Sequence, residues 1–344
     1  MSEHSRRVSH LVRLEELNEC LQWVLAHYSI ERASWIVNRL TSHVQTGGAS
    51  GIFASATLMI DEDVPPTDPL SIDRQRLCGV AIAIRQPGTS ATLLALQVVG
   101  DATANEVLTP LLTRLSQTGA TFIQSGCDDD SQSKLLENGG FEPLANLVMM
   151  SLEADQFAGA KELAAVTNRR PLAPEQVTWV DLDQLGEDWR MHLNDVAGQT
   201  FNDTQDCPRL SDFRSANEIV EGYVAAAHFD PRLASLLRIG DVWAGCLILT
   251  AHAASPGSDS LPDNDQSQSS KSGVVELTYM GLVPEFRGKG LAAHLMSKTI
   301  CQAIAAGASR VVLAVDRDNC PAAAIYQRLG WRVVIGETVW GRKI

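Results

Sequence analysis

The chain has 344 residues, with 41 acidic against 28 basic side chains and a formal net charge of −13. That length suits two domains of ordinary size, and the acidic balance argues against binding nucleic acid or an anionic membrane, since both need positive charge to meet phosphates. The seven cysteines (Cys20, Cys78, Cys127, Cys207, Cys246, Cys301, Cys320) are dispersed, with no CxxC pair or Cys/His spacing for a metal. Reduced thiols, no metal and a cytoplasmic location are therefore the expectation.

The first seven residues are polar, no apolar signal-type run follows them, and no run is long enough to span a bilayer. Residues 61–76, with Pro65, Pro66 and Pro69 among acidic residues, are expected to form a surface loop. Strands are expected over 77–84 and 91–99, then a helix over 105–117 ended by Gly119. A strand over 121–125, a helix over 131–137 and a strand from Phe141 complete the first half. Asp128-Asp129-Asp130 there reads as a solvated loop and helix start. A linker is expected at 161–175, ending in Arg169-Arg170-Pro171-Leu172-Ala173-Pro174. It separates a domain over 1–160 from one over 176–344.

The second half opens with a short strand over 177–180 and a helix over 216–228. Strands over 234–239 and 242–250 flank a Gly240-Asp241 turn, a hairpin signal. Residues 255–273, rich in Ser, Asp and Gln, read as a second polar loop. A strand over 274–283 follows, then a helix over 290–306 with Leu291, Leu295, Ile300 and Ile304 near helical spacing. A strand over 310–315, a helix over 321–329 and a strand over 331–335 finish the chain. Lys134-Leu135-Leu136-Glu137-Asn138-Gly139-Gly140-Phe141 parallels Tyr326-Gln327-Arg328-Leu329-Gly330-Trp331. Both read as a helix ending on Gly with an aromatic opening the next strand. An internal duplication with a period of about 180 residues is inferred.

The chemistry concentrates at Val283-Pro284-Glu285-Phe286-Arg287-Gly288-Lys289-Gly290-Leu291-Ala292, between a strand and a helix. Glycines there let backbone approach a ligand, and the amides of a first helical turn attract anions. Gly288-Lys289-Gly290-Leu291-Ala292-Ala293 also fits the dinucleotide fingerprint, with Asp316 after the next strand. Two features oppose that reading. Pro284 to Arg287 separate the first Gly from its strand, and the 28 residues after Asp316 are too few for the rest of such a sheet.

Arg287-x-x-Gly290-x-Ala292 resembles the (Q/R)xxGx(G/A) motif of the GCN5-related N-acetyltransferases (GNAT). Gly281-Leu282-Val283-Pro284-Glu285-Phe286, Asn319-Cys320-Pro321-Ala322 and Tyr326-x-x-Leu329-Gly330-Trp331 match as well. The clear resemblance covers about 274–335, and a looser one reaches back to Val177. The first half resembles the same fold with a worn copy of the loop, Val99-Gly100-Asp101-Ala102-Thr103-Ala104-Asn105. The implied fold class is α/β (α+β): two tandem GNAT-like domains, each a mixed, mostly antiparallel twisted sheet flanked by helices. The tandem arrangement looks similar to the mycothiol synthase type, though no residue match carries that substrate over.

The resemblance implies acetyl-CoA as co-substrate, a primary amine of a small molecule or peptide as acceptor, and direct attack. Arg287, Gly288, Lys289, Gly290, Leu291 and Ala292 would hold the pyrophosphate. Gly281, Leu282 and Val283 would pair with the pantetheine arm and hold the oxyanion through their backbone. Asn319 would either cap its helix or bond the pantetheine amide. Glu276 stands where members place a glutamate base, and Tyr326 matches the tyrosine many use as acid. Each also has a plain reading, as a solvated strand-start carboxylate and a packed aromatic. Asp206-Cys207-Pro208-Arg209 reads as a loop near the acceptor side, with Cys207 more simply structural. His228 and His294 have no metal partners at suitable spacing. A noncatalytic acyl-CoA-binding sensor remains the alternative function.

Overall fold

The computed structural model describes residues 5–47, 49–61, 72, 74–167, 177–226, 228–252 and 273–344. Most of the two expected polar loops and the last part of the expected linker, 168–175, lie outside them. The chain forms two compact units, Met1–Leu144 with Thr338–Ile344, and Ala145–Glu337.

In the first unit the sheet runs β1 (Ser5–Leu11), β2 (Ile52–Asp61), β3 (Leu77–Arg85), β4 (Ser90–Val98), β5 (Phe122–Cys127), then the end of β12 (Arg332–Lys343). Every neighbouring pair is antiparallel except β4–β5. Helices α1 (Leu17–Leu25) and α2 (Ile30–Gly47) cover one face. There Val24 and Ile36 pack with Val80, Ile82 and Leu94. Helix α3 (Ala104–Gln117) covers the other, setting Leu108, Leu111 and Leu115 against Ala81, Leu93 and Ile123. Because both faces are covered, β3 reads as a continuous apolar run rather than an alternating one. Helix α4 (Asp130–Asn138) follows β5, capped by Asp129, whose side chain accepts from the amides of Ser131 and Gln132.

The second unit repeats this plan. Its order is β7 (Val177–Asp181), β8 (Phe229–Ile239), β9 (Val242–His252), β10 (Val274–Leu282), β11 (Arg310–Asp316) and β6 (Glu142–Glu153). Again three antiparallel pairings precede one parallel pair, β10–β11, and a closing antiparallel strand. Helices α6 (Trp189–Thr200) and α7 (Ala216–Val224) pack Val196, Val220 and Val224 on Leu236, Cys246 and Ile248. Helices α5 (Phe157–Thr167), α8 (Ala292–Ala305) and α9 (Cys320–Arg328) cover the opposite face. Each unit therefore closes its sheet with a segment from the other half of the sequence.

Helix α5 occupies residues where a linker was expected to begin. Phe157, Ala160 and Ala164 recur at helical spacing and are buried in the core that holds α8. The Pro- and Arg-rich stretch just after them dominates the local composition and masks that stripe.

Candidate active site

The cleft of the second unit follows from how β10 and β11 part. Their parallel pairing joins Val274–Leu277 to Arg310–Leu313 and stops there. On its other edge β10 stays paired with β9 as far as Leu282, across a bulge between Leu277 and Tyr279. The main chain of Thr278–Leu282 therefore has one open edge. That edge lines a cleft of about 460 Å³ with Tyr326, Asn319, Asp206 and Arg287. An extended ligand can add to such an edge as a strand would.

At one end of the cleft lies the glycine loop. Gly288 and Gly290 have φ of 71° and 82°, values that L side chains avoid. They turn the chain from the short helical turn Pro284–Phe286 into α8, whose start carries no side-chain cap. The amides of Ala293 and His294 bond back to the carbonyls of Gly290 and Leu291, so those that can meet an anion are the amides of the loop and helix start, Gly288 to Ala292. Lys289 lies on the exposed loop with its ammonium 5.2 Å from the centroid of the Phe286 ring. The Arg287 side chain turns back onto main-chain carbonyls. Its guanidinium donates to the carbonyls of Leu282 (3.0 Å), Asp203 (3.0 Å) and Thr200 (2.9 Å). In this conformation it ties the loop to the end of β10 and to the C-terminus of α6.

Gly281 is required by what stands over it. A Cβ there would fall 2.5 Å from Thr200 Oγ1 and 2.8 Å from the Tyr279 hydroxyl. Those two hydroxyls are themselves hydrogen-bonded at 2.6 Å, and Tyr279 stacks between Phe201 and Tyr223. Gly281→Ala is expected to cost about 1–3 kcal/mol of stability through overpacking, measured as a lower midpoint in urea denaturation. An unchanged midpoint would mean the Thr200–Tyr279 pair yields freely.

Tyr326 is buried, lines the cleft and packs 5.8 Å from Trp331. Burial, with the Asp206 carboxyl nearby, pushes its phenol above the ordinary range, so it stays protonated. Asn319 caps α9, its side-chain oxygen accepting from the Ala322 amide at 3.3 Å. Glu276 stands on β10, bonded to His252. It is half-buried, outside the cleft lining, with Oε2 2.8 Å from His252 Nε2. The His252 ring lies 5.8 Å from that of His228. His294 is on α8, where burial lowers its pKa. Thr200, Tyr223 and Tyr279, which shape the cleft wall, were not singled out from the sequence. Their meeting depends on contacts across 79 residues for Thr200–Tyr279 alone, with no local motif to announce it.

The first unit carries the same parting strands, closed from within. β4 and β5 pair only through Ser90–Thr92 and Phe122–Gln124. Beyond that, Tyr28 and Arg32 enter the gap. The Tyr28 hydroxyl accepts from the Leu96 amide at 3.0 Å and lies 3.0 Å from the Leu96 carbonyl. Arg32 donates to the Gly126 carbonyl at 3.0 Å. The residual cavity is about 190 Å³. The start of α3 is sealed as well. Thr103 and Glu106 form a capping box, and Arg7 pairs with Asp101 at 2.9 Å and Glu106 at 3.0 Å. Carboxylates thus stand where the second unit has an uncapped helix start.

Among the described residues no His, Cys, Asp and Glu cluster of three or more could hold a metal, and no helix is long and apolar enough to cross a membrane.

Residues 199–331 match the sequence model of the "Acetyltransferase (GNAT) family". A mycothiol acetyltransferase of Corynebacterium aurimucosum is 34% identical over 67 residues, 20% of this chain. That match spans only 22% of the relative's length. Among solved structures, the chain superposes on the GCN5-related glucosamine N-acetyltransferase region of a fungal multi-domain β-N-acetylglucosaminidase. The TM-score is 0.57 at 13% identity, over 99% of this chain and 38% of that one. A tandem GNAT protein from the clavulanic acid biosynthesis pathway aligns over 99% of this chain and 98% of its own, with a TM-score of 0.45 and 10% identity.

Proposed function

We propose that this chain, a member of the GNAT superfamily through residues 199–331, transfers an acyl group, acetyl first among candidates, from acyl-CoA to a primary amine in the cleft of its second unit. The observation that carries this reading is the open edge of Thr278–Leu282 ending at the uncapped start of α8, with Tyr326 in the same cleft. An extended arm, an anionic end and a proton donor are the three needs of a CoA thioester.

In this reading the amides after Gly288 and the charge of Lys289 receive the diphosphate. Arg287 acts by holding the loop in shape through its three carbonyl contacts. The backbone of Gly281, Leu282 and Val283 aligns the pantetheine arm and polarises the thioester carbonyl. Tyr326 donates toward sulfur as the C–S bond breaks. Glu276, set outside the cleft lining and bonded to His252, can serve as base only through a relay. Release of free CoA from acetyl-CoA, measured across a panel of primary amines, tests the reading. Tight binding with no release on any amine would favour an acyl-CoA sensor instead.

The filled gap and sealed helix start of the first unit support one working site per chain. Isothermal titration of the whole chain with acetyl-CoA is expected to give a stoichiometry near one. A value near two would show that Tyr28 and Arg32 give way to ligand.

A further inference from the structure

We infer that Asp206 accepts the proton of the incoming amine, an assignment that rests on the acyltransferase reading above. Asp206 sits in the loop between α6 and α7 and is only partly exposed, at the cleft surface. One carboxyl oxygen accepts from the Asp316 amide at 3.0 Å, and the Asn319 side chain also donates to the carboxyl. In return, Asp316 accepts from the Cys207 amide at 3.2 Å. This two-way latch joins the loop to the end of β11 and holds Cys207 in a left-handed conformation, φ 48°. The carboxyl is thus fixed in position, as a proton acceptor must be.

Its electrostatic surroundings are unusual. The titratable and polar groups that face it are Asp316 from β11, Cys207 from its own loop, Tyr223 from α7, Tyr279 from β10, and Tyr326 with the helix-capping Asn319 at α9. None of these is a cation, and Asp316 adds like charge. Arg287, in the same cleft, spends its guanidinium on carbonyls. Among the described residues no cation is paired with it, and a carboxylate so held partly out of water favours either a proton or a cationic ligand. An alkylammonium supplies both. Burial, then the charge of Asp316, lift the Asp206 carboxyl above its usual range while its hydrogen bonds oppose the rise. The upward shift makes it a better base near neutral pH. Asp206 and Tyr326 line the cleft together, whereas Glu276 does not.

The step balances as follows. Asp206 takes one proton from the ammonium, leaving a neutral amine. The amine nitrogen bonds the thioester carbon, and the C–S bonding pair leaves on sulfur. The second nitrogen proton replaces the one that the Tyr326 hydroxyl gives to sulfur. Asp206 then releases its proton to solvent at the cleft mouth.

The test compares Asp206→Asn with Glu276→Gln on an amine that the wild-type chain acylates. Asp206→Asn is expected to lower kcat/KM at least about 100-fold, leave the Kd for acetyl-CoA within about threefold and remove the acidic limb of the pH profile. Asp206→Glu should recover part of the loss. Thermal melting reads the carboxyl independently of turnover. A carboxyl raised in the folded state takes its proton more readily there than when unfolded. Charging it therefore lowers stability as pH climbs above the unfolded value, about 4, and through the folded one. Asp206→Asn is expected to melt higher relative to wild type at pH 7.5 than at pH 4. The inference is overturned if Asp206→Asn keeps kcat/KM within threefold at every pH, or if Glu276→Gln takes the loss instead. It is also overturned if Asp206→Asn loses acetyl-CoA binding, or if its melting temperature relative to wild type does not rise between pH 4 and pH 7.5, which would leave Asp206 a latch alone. Wild-type chain that binds acetyl-CoA yet acylates no amine would instead sink the transferase reading.

Discussion

Tyr326→Phe is expected to lower kcat about 100-fold while the Kd for acetyl-CoA stays within about threefold. Phenylalanine keeps the ring in its buried place against Trp331, so packing is conserved and only the hydroxyl is lost. The raised pKa of Tyr326 has two consequences. The phenol remains a proton donor throughout the neutral range. It is also a weaker acid than the CoA thiol, whose ordinary pKa is near 8.5 by analogy with cysteine. Transfer to a fully formed thiolate in water would then run uphill. In the cleft the same desolvation that raises the phenol raises the thiol too, and the donation is made while negative charge is still growing on sulfur. The loss should therefore fall on the step that breaks the C–S bond. Steady-state turnover, with titration of acetyl-CoA into the same variant, separates the two quantities. Equal loss in affinity and turnover would assign Tyr326 a binding role instead.

How much of this was legible in the primary structure varies with the range of the interactions. The glycine loop was legible because Gly288 and Gly290 hold left-handed backbone, a local demand that writes itself into the sequence. The strands and helices from β10 to α9 were legible for the same reason, with apolar periodicity and Gly stops at hand. The shared plan of the two units could be glimpsed in the parallel between 134–141 and 326–331. Asp206 was visible only as a loop residue. Its latch joins it to the amide of Asp316, 110 positions away. Tyr28 and Arg32 carry no local signal, since what they fill is a gap between strands 62 to 94 positions further on. Nor could local patterns show that segments 145–153 and 338–343 complete sheets of units formed mainly by the opposite half. Strand partners are chosen by tertiary fit, and the period-2 pattern of a strand does not name its neighbour.

A single charge should close the anion end of the cleft. Gly288→Asp is expected to weaken acetyl-CoA binding about 100-fold, while Gly288→Asn weakens it less than about tenfold. The two variants differ in charge and little else. Gly288 sits at φ 71° with nothing within 4 Å of where a Cβ would be placed. Asp and Asn are the side chains that best tolerate left-handed backbone, so both variants should keep the loop. Only Asp sets a carboxylate beside the uncapped start of α8, where it competes with the diphosphate for amides and repels its charge. The first unit offers an internal precedent. There Glu106 and Asp101 stand at the start of α3, held by Thr103 and Arg7. Salt decides whether the effect is electrostatic. Repulsion at an exposed loop is screened within about 8 Å at 0.15 M and within about 3 Å at 1 M. The gap in affinity between the Gly288→Asp and Gly288→Asn variants should therefore narrow as salt rises. Titration of acetyl-CoA into the two variants at low and high salt makes the comparison. Equal affinities at low salt would place the diphosphate elsewhere than on this loop.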